Sequence, residues 1–146
     1  MPPETLFSIC NGIALLGWIL LVFLPKRQII PRLITSVIIP CLLALIYGYL
    51  LLTDLPGAEG GFGSLADIYL LFGNPHLLLA AWIHYIAFDL FVGSWEVRDS
   101  HRLGISHFLV IPCLFLTFLL GPIGLLCYLV IRAVSKKEYL IGQRNG

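Results

Sequence analysis

The chain has 146 residues, 59% of them hydrophobic and only 12% charged, with a mean hydropathy of +0.95. Water-soluble domains do not reach that balance, so this is an integral membrane protein. A formal net charge of +1 offers no basic face, which excludes nucleic acid as a partner.

The N-terminus, "MPPETLFSIC", has no Lys or Arg ahead of its first apolar run. It lacks the basic n-region of a secretory signal and the Arg- and Ser-rich character of a transit peptide, so the first segment is expected to remain as an anchor. A membrane helix needs about 20 residues to cross about 30 Å of hydrocarbon. Three segments fit that length: residues 6–24, 33–52 and 76–95. The fourth, residues 104–132, would reach about 43 Å if straight, and "GPIG" at Gly121 to Gly124 places a proline within it. The expected fold is all-α: a single integral membrane domain over 1–146, built as a bundle of four transmembrane helices with five as the alternative. The last helix should be kinked or broken at Gly121–Pro122.

Charge sets the orientation. Lys26, Arg27 and Arg32 follow the first helix, whereas the connection from Thr53 to Pro75 carries Asp54, Glu59 and Asp67 with no Lys or Arg. The positive-inside rule puts the first loop in the cytoplasm. Four spans then place Arg132, Lys136, Lys137 and Arg144 on the opposite side, against the rule, and a fifth span would repair this. Four remain preferred, because residues 123–134 are short for a crossing. Within the long connection, "SLADIYLLF" reads as a half-helix capped by Ser64 at the interface, serving as a lid or as a plain connector.

The cysteines Cys10, Cys41, Cys113 and Cys127 lie in apolar stretches without CxxC spacing or a nearby His pair. They are read as small buried hydrophobes, not as zinc ligands or a disulfide framework. Gly12, Gly17, Gly121 and Gly124 are small residues that allow close helix contact.

The polar residues of the third segment need a reason, because ionisable groups are costly in hydrocarbon. Trp82, Asp89 and Glu96 are seven apart and form one helical stripe, with Tyr85 and Val92 beside it. Tyr85 lies one turn before Asp89, within reach of its carboxylate. His84 is five residues before Asp89, about 140° around the helix, so the two share a site only across a cleft. Asp89 is either a proton-transfer group in a pocket or helix-to-helix glue bonded to Asn11, Tyr47 or Tyr49. Glu96, Arg98, Asp99 and Arg102 follow Trp95, where a mutually paired surface network is expected. His107 could point back toward it. Trp18, Trp82 and Trp95, with the many Phe and Tyr residues, either line a groove for a long apolar ligand or serve as packing and interface anchors.

"WIHYIAFDLF" at Trp82 to Phe91, followed by "SHFLVIP" and then "LLGPIGLL" at Leu119 to Leu126, resembles the abscisic-acid-deficient-four-like family of small membrane proteins. Plant members of that family are required for making neoxanthin from violaxanthin. The resemblance implies a four-helix protein of carotenoid biosynthesis and a redox-neutral, intramolecular isomerisation: a 5,6-epoxide opens to an allenic alcohol by one protonation and one deprotonation. No cofactor and no metal is implied. Trp82, His84 and Asp89 match the family pattern. His84 and Asp89 are the implied acid–base pair, in either order, with Trp82, Tyr85, Trp95 and His107 as ligand contacts and Glu96, Arg98 and Asp99 as a supporting network. The implied partners are a carotenoid-like ligand and the bilayer, with a homo-oligomer or a partner enzyme open. The implied location is a bacterial inner or thylakoid-type membrane, or a plastid membrane if a transit peptide is missing from this chain. Competing readings are a non-catalytic carotenoid-binding or assembly subunit and, behind it, a small transporter.

Overall fold

The computed structural model describes residues 1–136, and over these the chain is helical with no strand. Helix α1, Pro3–Phe23, starts on a proline, whose missing N–H costs nothing in a first turn. Its buried residues Cys10, Ala14, Trp18 and Leu21 recur at helical spacing and form one inward stripe. Helix α2 occupies residues 30–54. It opens as a wide π-helix over Ile30–Ile38 and continues as an α-helix over Ile39–Asp54. The short helix α3, Leu65–Leu71, is capped by Ser64, whose Oγ accepts from the Asp67 amide at 3.1 Å, as the sequence suggested.

Helix α4, Pro75–Leu103, is the axis of the molecule. Asn74 caps its start by accepting from the His76 amide at 2.9 Å, and Gly104 ends it in the left-handed region at φ 63°. It runs two turns beyond the expected 76–95 because the polar residues after Trp95 stay helical and inside the protein. Helix α1 lies parallel to α4: Trp82 Nε1 donates to Asn11 Oδ1 at 3.1 Å near one end, and Trp18 covers Gly93 further along. A side chain on Gly93 would stand 2.6 Å from the indole, so only glycine admits it. Helix α2 runs antiparallel to α4, with Ser94 Oγ donating to Thr35 Oγ1 at 2.7 Å and His76 Nδ1 donating to Asp54 Oδ1 at 2.9 Å.

The last apolar segment differs most from expectation. It breaks at Gly121 into α5, His107–Leu120, and α6, Pro122–Lys136. The two fold back on each other: Cys113 Sγ lies 3.5 Å from Cys127 Sγ, and Gly124 is packed against the Thr117 backbone. Gly121 turns the chain at φ 34°, and Pro122 cannot continue α5 because it has no N–H. Each arm reaches only about 20 Å, short of about 30 Å of hydrocarbon. In place of the preferred four spans, three helices are long and apolar enough to cross a membrane, α1, α2 and α4, followed by a hairpin of two shorter apolar helices. The same hairpin removes the conflict over charge. Arg132 returns to the end of the bundle that carries Arg98, Arg102 and the loop with Lys26 and Arg27. The side chain of Lys136, and Lys137 and Arg144, lie outside the described residues. The outward surface is apolar, with Leu45 72% exposed and Leu52 81%, as hydrocarbon contact requires.

Candidate functional site

Asp89 is the fifteenth of the 29 residues of α4, about 21 Å from either end, at the middle of the helix. Its side chain is 9% exposed and faces the tip of the α5–α6 hairpin. A Cβ on Gly121 would stand 2.7 Å from Asp89 Oδ1, so the carboxyl lies against the turn that precedes α6. A helix N-terminus is the favourable end for a carboxylate, and a helix broken within a membrane supplies that end at mid-depth. The same break leaves the last carbonyls of α5 without intrahelical donors, and the Tyr85 hydroxyl donates to that of Leu119 at 3.1 Å. Asp89 Oδ2 has no hydrogen-bond partner among the described residues.

Asp89 and Tyr85 open onto one cavity of about 290 Å³ between α1, α4 and α5. Its walls are apolar apart from Asn11, whose side chain is held by Trp82 and by the Phe7 carbonyl, to which Asn11 Nδ2 donates at 2.9 Å. Trp82 continues into a second hollow of about 430 Å³ bounded by Pro3, Phe7 and Leu78 at the α4 N-terminal end. Leu15, Trp18 and Phe118 continue into a third, of about 290 Å³, toward Phe23. Together they form a string of apolar hollows along the length of α1, with the carboxyl at its middle.

Other residues picked from the sequence fall elsewhere. His84 lines a different cavity, in tilted ring contact with Tyr47 and Phe88 at centroid distances of 6.0 and 4.7 Å, and no cleft joins it to Asp89. The expected His84–Asp89 pair is thus not assembled, because the 140° between them leaves them on two faces of α4. Trp95 packs edge-on against Tyr128 at 5.4 Å, and His107 Nε2 donates to the Val22 carbonyl at 3.0 Å, so both brace helices away from the cavity. Of the partners expected for Asp89 as glue, Asn11 shares its cavity, whereas Tyr47 and Tyr49 lie on the α2 side.

Of the network expected after Trp95, the Asp99–Arg102 pair forms and Arg102 is exposed, but Arg98 is half-buried and the two acids are buried rather than at the surface. Glu96 is fully enclosed and accepts from Thr117 Oγ1 at 2.9 Å. Asp99 is 6% exposed, accepts from Tyr128 Oη at 2.9 Å and Arg102 Nη2 at 2.9 Å, and forms an ion pair with the Arg132 guanidinium, whose Nε lies 2.8 Å away. Arg98 turns the other way, with Nη1 donating to the Pro31 carbonyl and to Ser36 Oγ in the π-helical start of α2. Thr117, Tyr128 and the pair Asp54–His76 escaped the sequence reading. Only the last left a signal, an acid and a histidine flanking one connection. Among the described residues no three His, Cys, Asp or Glu side chains converge on a metal position.

A family model described as ABA DEFICIENT 4-like matches residues 5–128. The chain belongs to that family. The match runs from α1 into the first half of α6, and takes in Asp89, Tyr85 and the hairpin turn that meets the carboxyl. No curated protein and no solved structure matches the chain.

Proposed function

We propose that this ABA DEFICIENT 4-like protein is a cofactor-independent isomerase of an epoxy-carotenoid, of the violaxanthin-to-neoxanthin type, acting on a ligand drawn from the bilayer. The observation that carries the reading is the placement of one carboxyl and one phenol, Asp89 and Tyr85, in a single apolar cavity beside the middle of α4. A cavity of about 290 Å³ is at the small end for ligand sites. It suits the cyclic end of a long molecule, and the flanking hollows along α1 suit its chain.

The chemistry needs only protons. Tyr85 hands its hydroxyl proton to the epoxide oxygen as the ring C–O bond breaks. Asp89 takes the vinylic hydrogen beside the ring, and the released C–H electron pair forms the second double bond of the allene. Asp89 then returns its proton to Tyr85, so neither electrons nor protons are exchanged with the surroundings. Such a step gains from exclusion of water and from groups held before the ligand arrives. The Leu119 carbonyl and the hairpin turn hold both groups in place. The protein would act in whichever membrane carries the pigment, a bacterial inner, thylakoid-type or plastid membrane.

The test is pigment analysis of a host that accumulates violaxanthin, with and without this chain. Appearance of the allenic product only in membranes containing the protein supports the reading. Unchanged pigment in membranes where the protein has accumulated counts against it.

A further inference from the structure

The mechanism leaves His84 unused, and its surroundings are unusual for a membrane helix. It lies five residues before Asp89, about 7.5 Å nearer the α4 N-terminus, still at hydrocarbon depth. Its side chain is exposed, and among the described residues it makes no hydrogen bond. An imidazole in hydrocarbon carries a donor and an acceptor that lipid tails cannot satisfy. It also stands at the rim of a cavity of about 230 Å³, roofed by Phe62, Leu71 and Phe72 from the connection between α2 and α4 and walled by Tyr47. Ala81 keeps the floor low. From the rim, the open face of α4 continues as Phe88, 60% exposed, and Phe91, 45% exposed.

We propose that this cavity is a second binding site, for an oxygenated six-membered ring carried on a long apolar chain. His84 hydrogen-bonds the ring oxygen, accepting from a hydroxyl or donating to a carbonyl. The aromatic groups Tyr47, Phe62 and Phe72 enclose the ring, and the chain lies along Phe88 and Phe91. The volume holds one substituted ring and no more, which is why the chain must leave by the open stripe. A lipid quinone and a hydroxylated carotenoid share this chemistry. The site is on the face of α4 opposite the Asp89 cavity and does not rest on the isomerase reading.

The test is equilibrium binding to the purified chain in nanodiscs free of pigment and quinone. The probes are decylubiquinone, zeaxanthin and, as a ring without oxygen, decylbenzene. Saturable binding of decylubiquinone or zeaxanthin that depends on His84 is expected, distinct from any carotenoid held in the Asp89 cavity, with decylbenzene at least tenfold weaker, and the probe that binds identifies the source. His84→Leu should weaken that binding about tenfold, the scale of one hydrogen bond made away from water. His84→Gln should recover part of it, which separates loss of the bond from loss of fold. Ala81→Phe fills the floor and should abolish this His84-dependent component with His84 intact. Equal binding of decylbenzene, or undiminished binding in both His84→Leu and Ala81→Phe, would overturn the proposal. Neither result bears on turnover at Asp89, which is read from product.

Discussion

Gly121 closes over Asp89: any side chain at that position would begin 2.7 Å from the carboxyl oxygen. The turn that reverses the last apolar segment thus packs directly on the carboxyl, while Phe118 and Leu119 just before it line the cavity. A glycine is needed twice over, for the contact and for a backbone φ of 34°.

Alanine substitutions rank the hairpin glycines. Gly121→Ala is expected to lower stability by about 1–3 kcal/mol through crowding of the carboxyl and backbone strain. Gly124→Ala should cost more, because its Cβ would lie 2.1 Å from the Thr117 backbone nitrogen, which cannot rotate away. Gly12→Ala meets nothing within 4 Å and should stay within about 0.5 kcal/mol of the parent. Thermal unfolding of the three purified variants in detergent measures the order, and equal effects at all three would contradict the hairpin packing.

The buried pair Asp99–Arg132 fastens α6 to α4 with both side chains almost fully enclosed, 6% and 1% exposed. Asp99→Leu takes its carboxylate away from an enclosed guanidinium, a change worth about 3–5 kcal/mol in such sites. The double variant Asp99→Leu/Arg132→Met, which removes both charges, should be more stable than Asp99→Leu alone. Unfolding midpoints of the single and double variants give the comparison, and a double variant weaker than the single would show that the pair is not the fastening.

The hairpin makes a topological prediction. A single cysteine at Lys26 and one at Ser135, in a background with the native cysteines replaced, should react with a membrane-impermeant maleimide from the same side of sealed vesicles. Reaction from opposite sides would mean that the last segment crosses the membrane in one piece.

How much of this was legible beforehand varies with the kind of interaction. The apolar lengths of α1, α2 and α4, the Ser64 cap and the break at Gly121–Pro122 are local properties, and the sequence carried them. The angle at the break is not local. A proline after a glycine permits a kink or a full reversal, and only the fit of Gly124 against Thr117 decides between them. That reversal is also why Glu96 and Asp99 are buried: they lie past Trp95, where an interface was expected, and α5 and α6 return to cover them. The separation of His84 from Asp89 was present in the helical arithmetic, but whether a cleft would reunite them depended on where α1 and α2 pack. They pack on different faces of α4, and each residue has a cavity of its own.

The most direct measurement is the rate of allenic product formed by the purified chain from an epoxy-carotenoid in nanodiscs, for the parent, Asp89→Asn and Tyr85→Phe. Asparagine keeps the shape of Asp89 and phenylalanine that of Tyr85, but neither can exchange a proton in this step. Each kcat should fall by roughly a hundredfold or more with the unfolding midpoint little changed. The double variant should fall scarcely further than either single one, because both groups serve one proton cycle. A folded Asp89→Asn protein that turns over at the parent rate would contradict the role assigned to this carboxyl.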